Sequence, residues 1–195
     1  MGTLKTTNIQ TITGSGTLTL GTSGETLTVP TGVTVGGGMS NTPAFEAYLS
    51  AFQGIANNTY VKVQFNTKVF DTDNAYDNST NYRFTVPTGK AGKYVVHSQC
   101  ICRSNSGNSL QNAFLAIYVN GSGVNTHHKS IEYYYTNNAR RSLQTVNTIL
   151  DLSASDYLEI YAKIGDANHD ISGSGILAND SAGSSFFHVH KLIGV

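Results

Sequence analysis

Short runs of alternating apolar and polar residues follow one another closely from Pro43 onward, and they constrain the fold more than any other feature. Alternation with a period of two places one face of an extended strand in a core. Turn residues separate the runs, and Asn120-Gly121 is a strong hairpin signal. The predicted strands lie at 45–52, 60–65, 69–70, 83–87, 94–103, 114–119, 127–135, 142–152, 157–164 and 186–192. Without a convincing amphipathic helix, this pattern predicts an all-β sandwich or jelly roll over residues 41–195.

Residues 1–40 differ in kind from the rest of the chain. Thr alternates with aliphatic residues between glycine-containing breaks, and the run at 17–20 (TLTL) recurs at 26–29 (TLTV). Each run is too short to be stable alone, so neighbouring runs or other copies of the chain must cover its apolar side chains. These side chains belong to Ile12, Leu18, Leu20, Leu27, Val29, Val33 and Val35. We predict a β stem that intertwines around a threefold axis and anchors the protein; a low-complexity linker is the alternative.

The composition excludes several classes of function. The chain has 12 basic and 12 acidic residues and a net charge of zero, whereas a nucleic-acid-binding protein carries a basic surplus on one face. No apolar run approaches the roughly 20 residues that a membrane helix needs. The first residues lack the apolar segment of a secretory signal, so we expect synthesis in a cytoplasm.

Cys100 and Cys102 are two apart in a predicted strand, too far from each other for an unstrained disulfide, and we expect both in a core or an interface.

Seven segments of the head follow one another along the chain in an order that can be compared with known families. They lie at 43–49, 63–70, 75–77, 82–87, 92–96, 152–160 and 184–189, and the fifth contains a Gly-x-Tyr motif at Gly92 and Tyr94. In this order the segments resemble the C1q/tumour-necrosis-factor superfamily of jelly rolls. The resemblance implies a homotrimer that packs through aromatic strand faces around a threefold axis. Ser155 stands where that superfamily usually has glycine.

The resemblance and the stem together point to a virus particle. The residues before Pro43 carry no collagen Gly-X-Y repeat, and instead resemble the Thr/Gly/Leu repeats of bacteriophage tail fibres and appendages. We expect a non-enzymatic, trimeric virion protein whose stem docks on a capsid or tail protein and whose head faces solvent. Either a short fibre that touches a host surface glycan or a capsid decoration protein fits. A carbohydrate-binding module of bacterial origin is the alternative.

Two groups of residues are candidate metal ligands, although we expect no cofactor. Asp71, Asp73 and Asp77 place oxygen atoms at alternating positions, as in a calcium loop, but the Gly and Glu of an EF-hand loop are missing. An ordinary turn is the alternative. His188 and His190 alternate and should point the same way, so that three copies present six imidazoles to a metal on the axis.

Tyr133, Tyr134 and Tyr135, followed by Asn137, are the candidate trimer or ligand surface. Aromatic rings beside amides suit stacking and hydrogen bonding with a sugar or a protein, whereas strand alternation would make two of the rings packing residues. We predict no catalytic residues. No Gly-x-Ser-x-Gly motif occurs at a strand-to-helix turn, and the four glutamates are scattered in sequence.

Overall fold

The computed structural model describes residues 41–105, 109–123, 129–133, 139–178 and 185–193, together with Thr26 and Thr28. The chain divides into two units, residues 1–36 and 37–195, and the described residues belong almost wholly to the second. All seven stem residues, from Ile12 to Val35, lie outside the described residues. The β stem and the domain boundary at residue 40 therefore stay predictions.

All regular structure in the described residues is β-strand. The strands are β1 (Ala44–Tyr48), β2 (Gln53–Gly54), β3 (Val61–Lys62), β4 (Thr67–Asp71), β5 (Tyr76–Asp77), β6 (Arg83–Thr85), β7 (Gly92–Arg103), β8 (Leu110–Val119), β9 (Lys129–Tyr133), β10 (Arg141–Leu152), β11 (Tyr157–Asp166), β12 (Gly175–Ile176) and β13 (Phe186–Lys191). No helix in this part of the chain is long and apolar enough to cross a membrane.

Sheet A is built around β7. The long edge strand β10 pairs with β7 along its whole length, from Arg141 opposite Arg103 to Leu152 opposite Gly92. On its other side β7 pairs with β13 and, further along, with β12. Strand β1 follows β13, β4 forms the far edge beside β1, and β2 lies beside β12. All these pairings are antiparallel, so the sheet needs only turns and loops between its strands.

Sheet B is built around β11. Strand β8 pairs with β11 over most of its length, and β9 pairs with the outer side of β8. On the other side of β11 lie β6 and β3, and β5 forms the edge beyond β6. The two sheets pack face to face because alternate residues of each strand are apolar and share one buried core.

Aromatic rings fill the centre of that core. Phe45 is completely buried and stacks on Tyr76 and Phe84, with ring centroids 4.4 and 5.4 Å apart, and the ring of Phe187 meets it edge-on at 5.0 Å. Burial raises the pKa of Tyr76 far above its usual range, with a smaller contribution from Asp77. The Tyr76 hydroxyl donates a hydrogen bond to the Phe65 carbonyl, which satisfies the one polar atom that the ring brings into the core.

The side chains of Cys100 and Cys102 are also buried, as predicted, because both point inward from β7. Two turns require backbone in the left-handed region. Asn120 and Gly121 have φ values of 53° and 75°, which confirms the predicted hairpin signal. Ser155 has φ 72° in the turn before β11. Glycine adopts this conformation at a lower cost than serine does.

Candidate functional site

The outer face of sheet A, meaning its side chains that point away from sheet B, is rich in apolar groups. Leu143 and Ile149 of β10 are 56% and 59% exposed, and Phe70 of β4 is 46% exposed. Half-buried apolar residues of the strands between them continue this surface: Tyr48, Val95, Ile101 and Phe186. Scattered exposed apolar residues are ordinary, but a contiguous patch across several strands is typical of an interaction surface.

One row of residues crosses this outer face through five strands. In order from β10 to β4, the row is Asn147, His97, His188, Glu46 and Phe70. The rings of His97 and His188 meet edge-on with centroids 4.9 Å apart, and His190 lies 6.2 Å from His188. His188 and His190 share one face, as predicted.

The sequence did not reveal that His97 is the cross-strand neighbour of His188, because the register of two distant strands cannot be read from either one. Desolvation lowers the pKa of both His97 and His188, and the neighbouring imidazoles lower that of His188 further. Among the described residues, no group of three or more His, Cys, Asp and Glu side chains could hold a metal ion.

The acidic loop between β4 and β5 uses its carboxylates to hold its own backbone. Asp71 accepts hydrogen bonds from the amides of Ala75 and Tyr76, at 2.9 and 3.1 Å, and pairs with Lys68 at 2.9 Å. Asp73 accepts a hydrogen bond from the hydroxyl of Thr72.

Asp77 likewise accepts hydrogen bonds from the amides of Ser79, Thr80 and Asn81 and from the Asn81 side chain. These hydrogen bonds, those of the Thr80 and Ser79 amides first, lower its pKa far below the usual range. Asp71 and Asp77, two of the candidate calcium ligands, thus stabilise hydrogen-bonded turns, and calcium binding stays a prediction.

A pocket of about 580 Å³ opens beside this loop at the β5–β6 edge of sheet B. Its wall is formed by polar side chains from the loops and strands around β5 and β6, chiefly Lys68, Asp73, Asn74, Asn78, Asn81 and Arg83. The guanidinium of Arg83 lies over the ring of Tyr157, 4.4 Å from its centroid. No pattern in the sequence predicted this pocket, because its wall comes from separate segments whose proximity only the fold determines.

The outer face of sheet B continues from the pocket as a set of aromatic rings and charges. Tyr118 and Tyr161 stack with centroids 4.0 Å apart, and Lys62 pairs with the buried Glu159 beside them at 2.5 Å. The ammonium group of Lys163 lies 4.2 Å from the ring centroid of Phe114. This face therefore differs in chemistry from the outer face of sheet A.

One residue of the candidate trimer or ligand surface lies in the described part of the chain. That surface was predicted to consist of Tyr133, Tyr134, Tyr135 and Asn137. Tyr133 ends β9, opposite Asn112 of β8. Tyr134, Tyr135 and Asn137 lie outside the described residues. Their role as a trimer or ligand surface stays a prediction.

The two antiparallel sheets, with this strand order, define an all-β jelly roll. Comparison with solved structures shows more closely which one. The globular domain of zebrafish complement 1qA protein matches with a TM-score of 0.54 and 14% sequence identity over 77% of this chain and 98% of that domain. Murine APRIL, solved at pH 5.0, matches with a TM-score of 0.49 and 15% identity over 76% of this chain and 99% of its own. The head thus has the C1q-like jelly-roll fold that the sequence predicted. No family model matches the chain, and no curated protein does.

Proposed function

We propose that this chain is a non-enzymatic subunit that assembles as a homotrimer through the outer face of sheet A. One observation carries the proposal: most side chains in the middle of that face are apolar, aromatic or histidine, with Glu46 as a charged exception, while further charged side chains lie at its ends. The Lys93–Asp151 pair lies at one end, and Arg103 beside Arg141 lies at the other. An apolar centre within a polar rim is the ordinary anatomy of a protein interface.

The other outer face is a poorer candidate for self-association. Lys62, Glu159 and Lys163 lie in the middle of the outer face of sheet B, where a dry interface would have to desolvate them. The fold supports a trimer as well, since the resemblance stated above implies threefold packing of strand faces. A ring of three copies, joined by heterologous contacts, is closed and leaves no free ends.

The proposed role is structural because the carboxylates with the most hydrogen bonds use them to hold the fold. Asp71 and Asp77 hold turns, and the buried Asp166 accepts hydrogen bonds from the hydroxyls of Ser109 and Ser174. Desolvation raises the pKa of Asp166, but these hydrogen bonds and those from the amides of Asn168 and Asn105 outweigh it, and the net pKa is lowered.

We further propose that the assembly belongs to a virus particle, as a short fibre or a capsid decoration protein. The Thr/Gly-rich repeats of residues 9–35 support this role, because such repeats must bury their apolar faces against neighbouring runs or other copies of the chain. Quantitative mass spectrometry of purified particles distinguishes the two positions, since a decoration protein is present in many more copies than a fibre. If mass spectrometry finds no copies of the protein in the purified particles, the virion proposal is refuted.

Sedimentation equilibrium of the full chain tests the trimer. We expect a mass three times the 20.8 kDa of one chain. Phe186→Glu, which places a charge next to the central row, is expected to give monomers whose circular dichroism spectrum is unchanged. A wild-type chain that sediments as a monomer at all concentrations would refute the proposal.

A further inference from the structure

We propose that the pocket at the β5–β6 edge of sheet B is a binding site for a neutral saccharide. Ligand pockets typically enclose about 300–1,000 Å³, and this one, at about 580 Å³, falls within that range. The proposal does not depend on trimer formation, because no residue that lines the pocket is among the apolar, aromatic and histidine side chains of the proposed interface on the outer face of sheet A.

The walls of the pocket are held in place before any ligand arrives. The Asp77 carboxylate fixes residues 79–81 on one side through three backbone amides, and the Asp71 carboxylate fixes residues 75–76 on the other through two. Both carboxylates act as internal braces of their loops. Binding therefore requires little ordering of the protein, which favours affinity for a small, weakly binding ligand such as a sugar.

The pocket offers hydrogen-bonding atoms that no described residue uses. The Arg83 guanidinium stacks on Tyr157 but has no hydrogen bond or ion pair with any described residue. Asn74 accepts a hydrogen bond from Lys68 through Oδ1, which leaves the two N–H groups of its Nδ2 unpaired among the described residues. Asn78 and Asn81 each donate through Nδ2, to the Asn66 carbonyl and the Asp77 carboxylate, and leave Oδ1 as an acceptor. Donors and acceptors in one concave wall match the hydroxyl groups of a sugar, each of which both donates and accepts.

The balance of charge argues against a polyanion. Lys68 is paired with Asp71, and Lys90 lies 3.7 Å from Asp73, so most of the nearby cations are already neutralised. Asp77 stays negative over the ordinary pH range because hydrogen bonds lower its pKa. An apolar ligand fits no better, since the wall consists mainly of charged and amide side chains. Of these ligand classes, a neutral, polyhydroxylated ligand fits the pocket best.

Tyrosine rings extend the site along β11. Tyr157 lies beside the pocket under Arg83, and Tyr161 lies four residues further along the same face, or about 13 Å at the usual rise of a strand. The stacked Tyr118 and Tyr161 rings present an aromatic surface of the kind on which sugar rings pack. We therefore expect a short oligosaccharide rather than a single sugar.

Binding of the full chain to immobilised oligosaccharides tests the inference. The probes are short neutral hexose and N-acetylhexosamine oligomers, beside sulphated and uronic-acid oligomers, and calorimetry follows with the neutral oligomer that binds best. We expect neutral oligomers to bind. We expect Arg83→Met, which keeps a flexible chain over Tyr157, to raise Kd by about tenfold or more, because it removes a charged hydrogen-bond donor.

A second variant and a matched control keep the test decisive. Asn74→Gly removes the amide without strain, because Asn74 has φ 51°, which glycine adopts freely. It should raise Kd about three- to tenfold. Arg103→Met removes an arginine that stacks on Phe52 at 4.5 Å outside the pocket, and it should leave Kd unchanged.

Three outcomes would overturn the inference: no neutral oligomer binds, only polyanionic oligomers bind, or both pocket variants bind as tightly as the wild type. Sedimentation of the same samples separates this result from the trimer proposal. A monomeric chain whose sugar binding depends on Arg83 would refute the trimer and support the pocket.

Discussion

Leu143 offers the sharpest quantitative test of the proposed interface. It lies on the outer side of the edge strand β10, opposite Ile101 of β7, and 56% of the residue is exposed in a single chain. Full burial of a leucine side chain contributes about 1.5–3 kcal/mol, so covering the exposed half is worth about 1–1.5 kcal/mol. Each trimer contains three copies, and Leu143→Asn should therefore cost about 3–4.5 kcal/mol of assembly free energy. The trimer dissociation constant should rise about 100- to 1,000-fold, since each 1.4 kcal/mol is tenfold.

Sedimentation equilibrium across a concentration series measures this constant, and Ile171→Asn is the matched control. Ile171 is 58% exposed, nearly the same as Leu143, but it lies in the turn before β12, beside Gly54 of β2 rather than on β10. The control should leave the constant unchanged. A change of less than about fivefold for Leu143→Asn, or an equal change for both variants, would show that β10 is outside the interface.

Three further predictions concern the head itself. Phe45→Ala should lower the unfolding free energy by about 3–5 kcal/mol in urea titrations, because it removes the ring at the centre of the aromatic core; a loss below about 1 kcal/mol would contradict this. Ser155→Gly should raise the melting temperature, by the equivalent of about 0.5–1 kcal/mol, because it relieves a positive φ; a lower melting temperature would refute the strain. Burial lowers the pKa values of His97 and His188. Below the ordinary histidine pKa of 6.5, the unfolded chain therefore binds more protons than the folded chain does. Stability should be complete above about pH 6.5 and fall as the pH drops below it, and His188→Gln should flatten that slope; the same slope in both proteins would be evidence against it.

The long strands were predictable because their alternation is sustained. The predicted strands 94–103 and 142–152 differ from Gly92–Arg103 and Arg141–Leu152 by two residues at most, since twelve alternating positions leave little choice of register. The two-residue strands Tyr76–Asp77 and Gly175–Ile176 were missed, because two residues have no period. Each is defined by its pairing with a neighbour: Tyr76–Asp77 pairs with the three-residue strand β6, and Gly175–Ile176 pairs with the long strand β7.

The candidate site was less predictable than the fold. His188 and His190 were correctly placed on one face from their spacing, but His97 joins them only through the register of β7 with β13. Oxygen-rich spacing in the loop from Asp71 to Asp77 is equally typical of cation ligands and of self-bonded turns. Only the directions of the backbone amides distinguish the two, and a sequence does not contain those directions.

Both outer faces of the head consist of the outward-pointing half of alternating strands. The residues at these outward positions differ in chemistry between the two sheets. In β7 the outward positions include His97 and Ile101, which lose little free energy when another protein covers them. In β11 the outward positions include Glu159 and Lys163, whose charges are already paired or lie against rings and are costly to bury further. The proposed assembly on one side and the proposed ligand recognition on the other therefore depend on which residues occupy the outward half of each strand. Because the two faces share no side chains, the effects of Leu143→Asn on assembly and of Arg83→Met on sugar binding should be independent in the double variant.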